Sequence, residues 1–414
     1  MIVSINKMNK ILLYISLFFL LFIPKTNIIN FSFSYVGAKP EDVLFFVLFL
    51  YYIIAAYLFD YQCNLGEYPI RWIVGFVCIN ILFVIANDIE IKNVAFIVRY
   101  TEYFMFLWFG FFLYSSQESI EENKILDKFI FFAFLFWVMF SLMMEGVSID
   151  GRKSSIFAHP TEFAGVVVFL MWVYGGGNEK SLKKIIIYML GCLLIFLSGT
   201  RSALVAIVFL FFFYNKQRIG IKIVCLSIVI LISGYGFFSG TDIDEENSKL
   251  ARLNSALSLE SIEVAYDIYS SADPSSLEEI KSPEVTTNDG DASVNARITK
   301  WGIIVANSID HYLIWGCGAG NIGEAIDGFY VRVLGENGII GLMFYMLAII
   351  CLFKNSNNDK RRRFAKIGTI GLIIEGCFID IFYFSRVACT FWFFWGMIIA
   401  KNNKIRQGEL ETEK

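Results

Sequence analysis

Residues 43–57 read VLFFVLFLYYIIAAY, and residues 129–144 read FIFFAFLFWVMFSLMM. Neither stretch holds a charge and neither alternates, so apolar side chains cover every face of whatever element forms there. A strand of a membrane barrel alternates apolar and polar positions, which excludes that architecture. With their flanks, both runs approach the roughly 20 residues that a helix needs to cross a bilayer. The reading is an all-α, polytopic integral membrane protein.

The rest of the chain agrees. Of 414 residues, 57% are hydrophobic and only 18% charged, with 43 Phe against 6 Pro and 2 His. Soluble domains carry about 25% charged residues, so a soluble enzyme, a disulfide scaffold and a disordered chain are all excluded. The formal net charge of −3 offers nucleic acid no basic surface. Six of the eight cysteines lie inside apolar runs, where a thiol is a small hydrophobe, and the other two show no metal-ligand spacing. Lys7 and Lys10 precede the first apolar run, but Phe22-Ile23-Pro24-Lys25 is a poor cleavage site, and the run reads as a retained span.

Hydropathy marks about twelve spans: 11–24, 42–60, 70–87, 94–114, 128–146, 161–176, 184–199, 201–215, 221–239, 329–353, 366–384 and 387–400. Alternate connecting segments hold 21 Lys and Arg against 7 in the short segments between. By the positive-inside rule both termini are cytoplasmic, and the long polar insert lies outside. Three parts result: a bundle of about nine helices over 1–239, a large external loop over 240–328, and C-terminal helices with a cytoplasmic tail over 329–414. The loop opens acidic and passes through a Ser, Pro, Asp and Glu-rich stretch at 271–291. It then becomes an amphipathic helix over 295–309, with Ile298, Trp301, Val305 and Ile309 on one face.

Ionisable groups at membrane edges are expensive to keep and are usually functional or paired. Arg201 sits in Ser198-Gly199-Thr200-Arg201-Ser202, a turn between two spans on the outer side. It reads either as an interfacial arginine that snorkels or as an anion ligand on a turn of small residues. Arg152 lies outside too, in a segment ending Phe157-Ala158-His159-Pro160, and Arg297 opens the amphipathic helix. Arg332 and Arg386 stand near the outer ends of their spans. Arginine presents a planar fork of donors suited to phosphate at any working pH, so several together would hold a pyrophosphate without a metal. His159 is either an acid/base group or a structural residue beside a proline. Asp327 stands at the mouth of the span from 329, with Glu336 nine residues on. Arg99 and Glu102, three residues apart, read as an intrahelical ion pair, while Glu375 and Asp380 read as polar contacts between helices. The run Gly316-Cys317-Gly318-Ala319-Gly320 lacks the Lys-Ser/Thr of a nucleotide loop.

The Ser-Gly-Thr-Arg-Ser turn is followed by a long external loop containing Arg297, Trp301 and Gly316-x-Gly-x-Gly. Then comes Tyr330…Leu334…Glu336-x-Gly338-x-x-Gly341, and Phe157-x-His159-Pro160-x-x-x-Ala164 lies upstream. In this order the chain resembles the O-antigen polymerase (Wzy) and ligase superfamily of bacterial inner-membrane glycosyltransferases, over about 200 residues. The resemblance implies a GT-C-like, inverting transferase acting on undecaprenyl-pyrophosphate-linked glycans at the periplasmic face of the inner membrane. Ligases of the superfamily carry a His-Asn pair where Asp327-Gly328 stands here, which favours the polymerase. The roles that follow are pyrophosphate binding for Arg201, Arg297, Arg152 and Arg332, and general base for Asp327, with His159 in reserve. Neither a cofactor nor a metal is implied, because the donor is already activated. The implied partners are the lipid-linked glycans, the bilayer and a chain-length regulator. The alternatives are an O-antigen ligase acting on lipid A–core, and a non-enzymatic transporter or flippase.

Overall fold

The computed structural model describes residues 2–26, 28, 38–59, 69–86, 91–115, 121–143, 148–149, 152–177, 181–213, 297, 300–305, 308–322, 326–354 and 359–412. These residues are mostly helical. In chain order the helices are α1 (Ile2–Phe22), α2 (Pro40–Phe59), α3 (Ile70–Ala86), α4 (Ile91–Ser115), α5 (Glu121–Met143), α6 (Pro160–Gly175), α7 (Ser181–Ser198) and α8 (Arg201–Phe213), then α9 (Phe329–Phe353), α10 (Lys360–Gly376) and α11 (Ser385–Thr412). Between α5 and α6 runs a small antiparallel pair, β1 (Ser148–Ile149) with β2 (Arg152–Lys153), which hydropathy did not announce.

Among the described residues, four helical stretches are long and apolar enough to cross a membrane: Pro40–Tyr57, Asn93–Ser115, Ile125–Met143 and Phe329–Phe353. The expected spans coincide with the eleven helices, except that 221–239 lies outside the described residues, as does most of the loop over 240–328. Several boundaries differ: the helices of the expected spans 11–24, 128–146 and 366–384 begin earlier, at Ile2, Glu121 and Lys360. The expected span 366–384 ends as a helix at Gly376 and gives way to a short 3₁₀ turn, Ile381–Tyr383. The last helix runs on through the expected tail to Thr412.

Helix α4 packs extensively on α11, and α10 on α6. Gly110 and Gly396 let α4 and α11 approach, since a Cβ at either would lie 2.1 Å from a carbonyl oxygen of the other helix; small residues serve this purpose where helices pack in lipid. Phe104, Phe106, Trp137, Trp172, Trp392 and Trp395 fill the interior. The outside is apolar as well. On α2, Val43, Phe46, Val47, Leu50, Ile53, Ile54 and Tyr57 all face outward, a stripe at helical spacing that water would penalise and hydrocarbon tails would not.

Contacts sort the helix ends into two groups. The start of α2, the start of α6 and the start of α11 meet through Glu41, Glu162 and Arg386, and the start of α9 joins them through Gly328 and Asp380. At the opposite end, Arg361 on α10 pairs with Asp127 on α5 at 2.6 Å, and Lys401 with Asp359 at 3.0 Å.

Helix α9 is broken. Gly338 has φ 65° and ψ −173°, a region that only glycine enters without strain. The backbone groups freed there are taken up by the chain segment after the Ser308–Tyr312 π-turn. Cys317 and Gly318 donate to the carbonyls of Gly335 and Glu336, each at 2.8 Å, and Ile339 donates to Leu313 at 2.8 Å. The glycine run explains itself here: Gly316, Gly318 and Gly320 all have positive φ, and a Cβ on Gly316 would fall 2.3 Å from the Glu336 backbone.

Gly338→Ala puts a side chain into this disallowed region and 2.2 Å from the Ile314 carbonyl oxygen, for a cost of about 1–3 kcal/mol from the backbone alone. Gly75→Ala meets only the flexible ring of Phe344 and serves as control. The thermal midpoint of detergent-solubilised protein drops clearly for the first and little for the second.

Candidate functional site

The end of the bundle that carries the starts of α2, α6, α9 and α11 also carries nearly every residue singled out for chemistry. It has two halves, joined by the link 380–384.

The first half lies around the start of α6. Pro160 occupies the first turn, where its missing N–H costs nothing, and His159 precedes it in extended conformation. The His159 ring is exposed and lies 6.0 Å from that of Phe384. Partial burial pushes its imidazole pKa down; Lys25, Lys39 and Arg152 push the same way, against Glu162, so the neutral, proton-accepting form is favoured. Arg152, on β2, lies across Gly199, whose positive φ closes the turn before Arg201. The structure therefore brings Arg152, Arg201 and His159 to one end, from three separate segments. The Ser198 hydroxyl shapes that turn, bonding Thr200 Oγ1 at 3.1 Å.

Beneath this rim lies a buried ion network that hydropathy did not reveal. Glu162 is fully buried; Lys25 donates to its Oε1 at 2.5 Å and the Arg386 backbone N–H at 3.1 Å. The Arg386 side chain donates to Glu41 Oε1 at 2.6 Å and to the Ile23 carbonyl at 2.7 Å. It thus closes the end of α1 and is engaged in structure. Lys39 sits in the same layer. Burial chiefly, then Lys25 and Arg99, lower its ammonium pKa to about 8. Arg99 pairs with Glu102 at 3.2 Å, as its spacing predicts, and with Asp42 on α2 in addition.

The second half lies at the start of α9. Arg297 Nε and Asp327 Oδ2 are 2.8 Å apart, with side chains 36% and 42% exposed. Two residues predicted for separate tasks thus begin as partners. Asp327 has φ 53°, left-handed for a residue that tolerates it, and Trp301 Nε1 donates to the neighbouring Ile326 carbonyl at 2.8 Å.

Arg332 is elsewhere. Its guanidinium is fully buried below Asp327, donating to Asp380 Oδ2 at 2.8 Å and Glu336 Oε1 at 3.1 Å, with the Tyr383 ring 4.2 Å away. Tyr100 closes the set with a 3.3 Å hydrogen bond to Glu336 Oε2. The structure does not bring Arg332 to the rim that the partly buried Arg152 and Arg201 share with Arg297.

Sequence reading missed Lys25, Lys39, Glu162 and Tyr383 as members of this end. Lys25 and Lys39 counted only towards topology; Glu162, three residues after His159 in the first turn of α6, was the available signal. Asp380 does make the contact between helices expected of it. For Glu375, buried against α6, no polar partner is found among the described residues. Among the described residues no cluster of His, Cys, Asp or Glu suits a metal ion. No protein-family model and no curated protein matches the chain.

Two expectations follow. Arg386→Met strands a buried Glu41 carboxylate, a loss of about 3–5 kcal/mol that appears as depleted folded protein; adding Glu41→Gln restores part of it, because the stranded charge is gone. Lys39 has a folded pKa of about 8 against 10.5 when unfolded, so the unfolded chain holds the extra proton between those values. Stability then rises with pH across that window, and thermal melts of Lys39→Met lack the rise.

Proposed function

We propose that this chain is a polytopic glycosyltransferase of the GT-C type, with twelve spans and both termini in the cytoplasm of a bacterial inner membrane. It polymerises undecaprenyl-pyrophosphate-linked repeat units into O-antigen or a related surface polysaccharide on the periplasmic face. One observation carries the reading. Arg152, Arg201, His159 and the Arg297–Asp327 pair, distant in sequence, stand at a single end of an apolar bundle, where a phosphate headgroup would rest with its polyprenyl chain along the outer hydrophobic face.

In the proposed reaction a hydroxyl oxygen of the acceptor sugar attacks the anomeric carbon of the growing glycan. The bond from that carbon to the lipid pyrophosphate breaks, and the leaving group takes the electron pair. Arg201, Arg297 and Arg152 stabilise the charge that develops on the pyrophosphate, where preplaced donors count most. Asp327 accepts the hydroxyl proton, with His159 as the alternative acceptor. The salt bridge between Arg297 and Asp327 sets an order: Arg297 turns to the pyrophosphate, and the carboxylate is then released to act as base. Arg332 acts from beneath, through its buried carboxylate partners. The long external loop and a chain-length regulator complete the assembly.

Arg201→Ala and Arg297→Ala abolish long polysaccharide in cells that make the protein at normal levels. Asp327→Asn lowers the polymerisation rate of purified protein with lipid-linked repeat units by about 10²–10⁴-fold, the usual contribution of a general base. Full-length product from these variants overturns the assignments. A deletion strain distinguishes the rivals: single-repeat caps mark a lost polymerase, bare lipid A–core a lost ligase, and untranslocated units a lost flippase.

A further inference from the structure

Asp380 is a buried carboxylate whose two oxygens serve two different elements. Oδ2 accepts from Arg332 Nε at 2.8 Å, and Oδ1 accepts from the backbone N–H of Gly328 at 3.1 Å. Gly328 is the residue before α9 and the one after Asp327. Its N–H is among the donors that a helix start leaves without an intrahelical partner, and here a side chain from the link between α10 and α11 takes it up across 52 residues. Arg332 is held in turn by Glu336 at 3.1 Å and by the Tyr383 ring, so it cannot swing away from Asp380. Ile326 is fixed from the other side by Trp301 Nε1, against whose indole Gly328 packs. The three residues 326–328 are thereby tied at both ends, and Asp327 between them is held with φ 53° and its carboxylate against Arg297.

We propose that Asp380 is a positioning residue: gripped by Arg332, it tethers the Gly328 amide and so fixes the direction in which Asp327 presents its carboxylate. This rests on the polymerase reading for its consequence, though not for the tether itself. A buried charge pair is a weak device for stability and a strong one for geometry, since a reacting group must be held within about 0.5 Å of its productive place by neighbours that are themselves locked. Asp380 touches no substrate in this scheme. Losing it leaves substrate binding intact and slows the chemical step.

The test uses the full-length protein in detergent or nanodiscs, comparing Asp380→Asn and Asp380→Ala with the wild type. The amide oxygen of D380N can still accept from Gly328, although its NH2 then meets the Arg332 Nε–H as donor against donor and that grip is lost, whereas D380A removes the tether altogether; in both, Arg332 keeps Glu336. Hydrogen–deuterium exchange is read over the peptide containing 326–334, with one from α6 as reference. Polymerisation is read as kcat and KM for a defined lipid-linked repeat unit. Expected are faster exchange confined to 326–334 in D380A, a kcat loss of about tenfold or more with KM changed less than about threefold, and partial rescue in D380N, all within the range a general base commands. Unchanged exchange in folded D380A, or loosened exchange with undiminished kcat, overturns the proposal. So does a rise in KM that accounts for the whole loss. A wild-type protein that makes no polymer, while D380A still loosens 326–334, overturns the polymerase reading and leaves the tether standing.

Discussion

An arginine inside an apolar bundle is costly unless a carboxylate answers its charge. Two such arginines, Arg332 and Arg386, fix the architecture of one end of this protein. They lie on either side of the short link between α10 and α11. Arg386 gathers α1, α2 and α6 through the Ile23 carbonyl, Glu41 and Glu162. Arg332 gathers α4, α9 and the link through Glu336, Tyr100, Asp380 and Tyr383. Six helices, counting the one that carries Arg386, and a turn thus meet at two arginines, and the rim candidates are mounted on what these residues hold.

This division of labour sorts the basic residues by depth. The arginines at the rim lie nearer the surface, Arg297 with a side chain 36% exposed; the arginines below it are buried against carboxylates of the protein. Both kinds stand at helix ends on the same end of the bundle, and nothing in their local sequence separates them. Arg332 and Arg201 each neighbour small or apolar residues. What differs is the company that folding supplies: two carboxylates, one of them from 48 residues away, for the first, and the turn at Gly199 for the second.

Much of the fold was legible in the sequence because hydropathy is a local quantity. The charge-free runs marked the helices. The Arg99–Glu102 pair was legible for the same reason, being three residues apart on one helix. The site was legible only in part. Residues such as Glu162 and Asp380 act on partners more than 40 residues away, and no periodicity encodes that. The pairing of Arg297 with Asp327, across 30 residues, was hidden likewise, although each was singled out alone. The glycine run at 316–320 was noticed but without a task, since its purpose is defined by the break at Gly338 in a different element.

That break has a consequence for how the protein can change over time. The segment 313–318 and the interrupted helix α9 are joined by main-chain atoms: donors at Cys317, Gly318, Ile339 and Ile340, acceptors at Gly335, Glu336, Leu313 and Ile314. Every amino acid other than proline brings those atoms. The side chains of Leu313, Ile314 and Ile339 point outward and are substantially exposed. A lineage is therefore free to redraw this exposed surface, residue by residue, provided that the glycines stay where the two backbones touch.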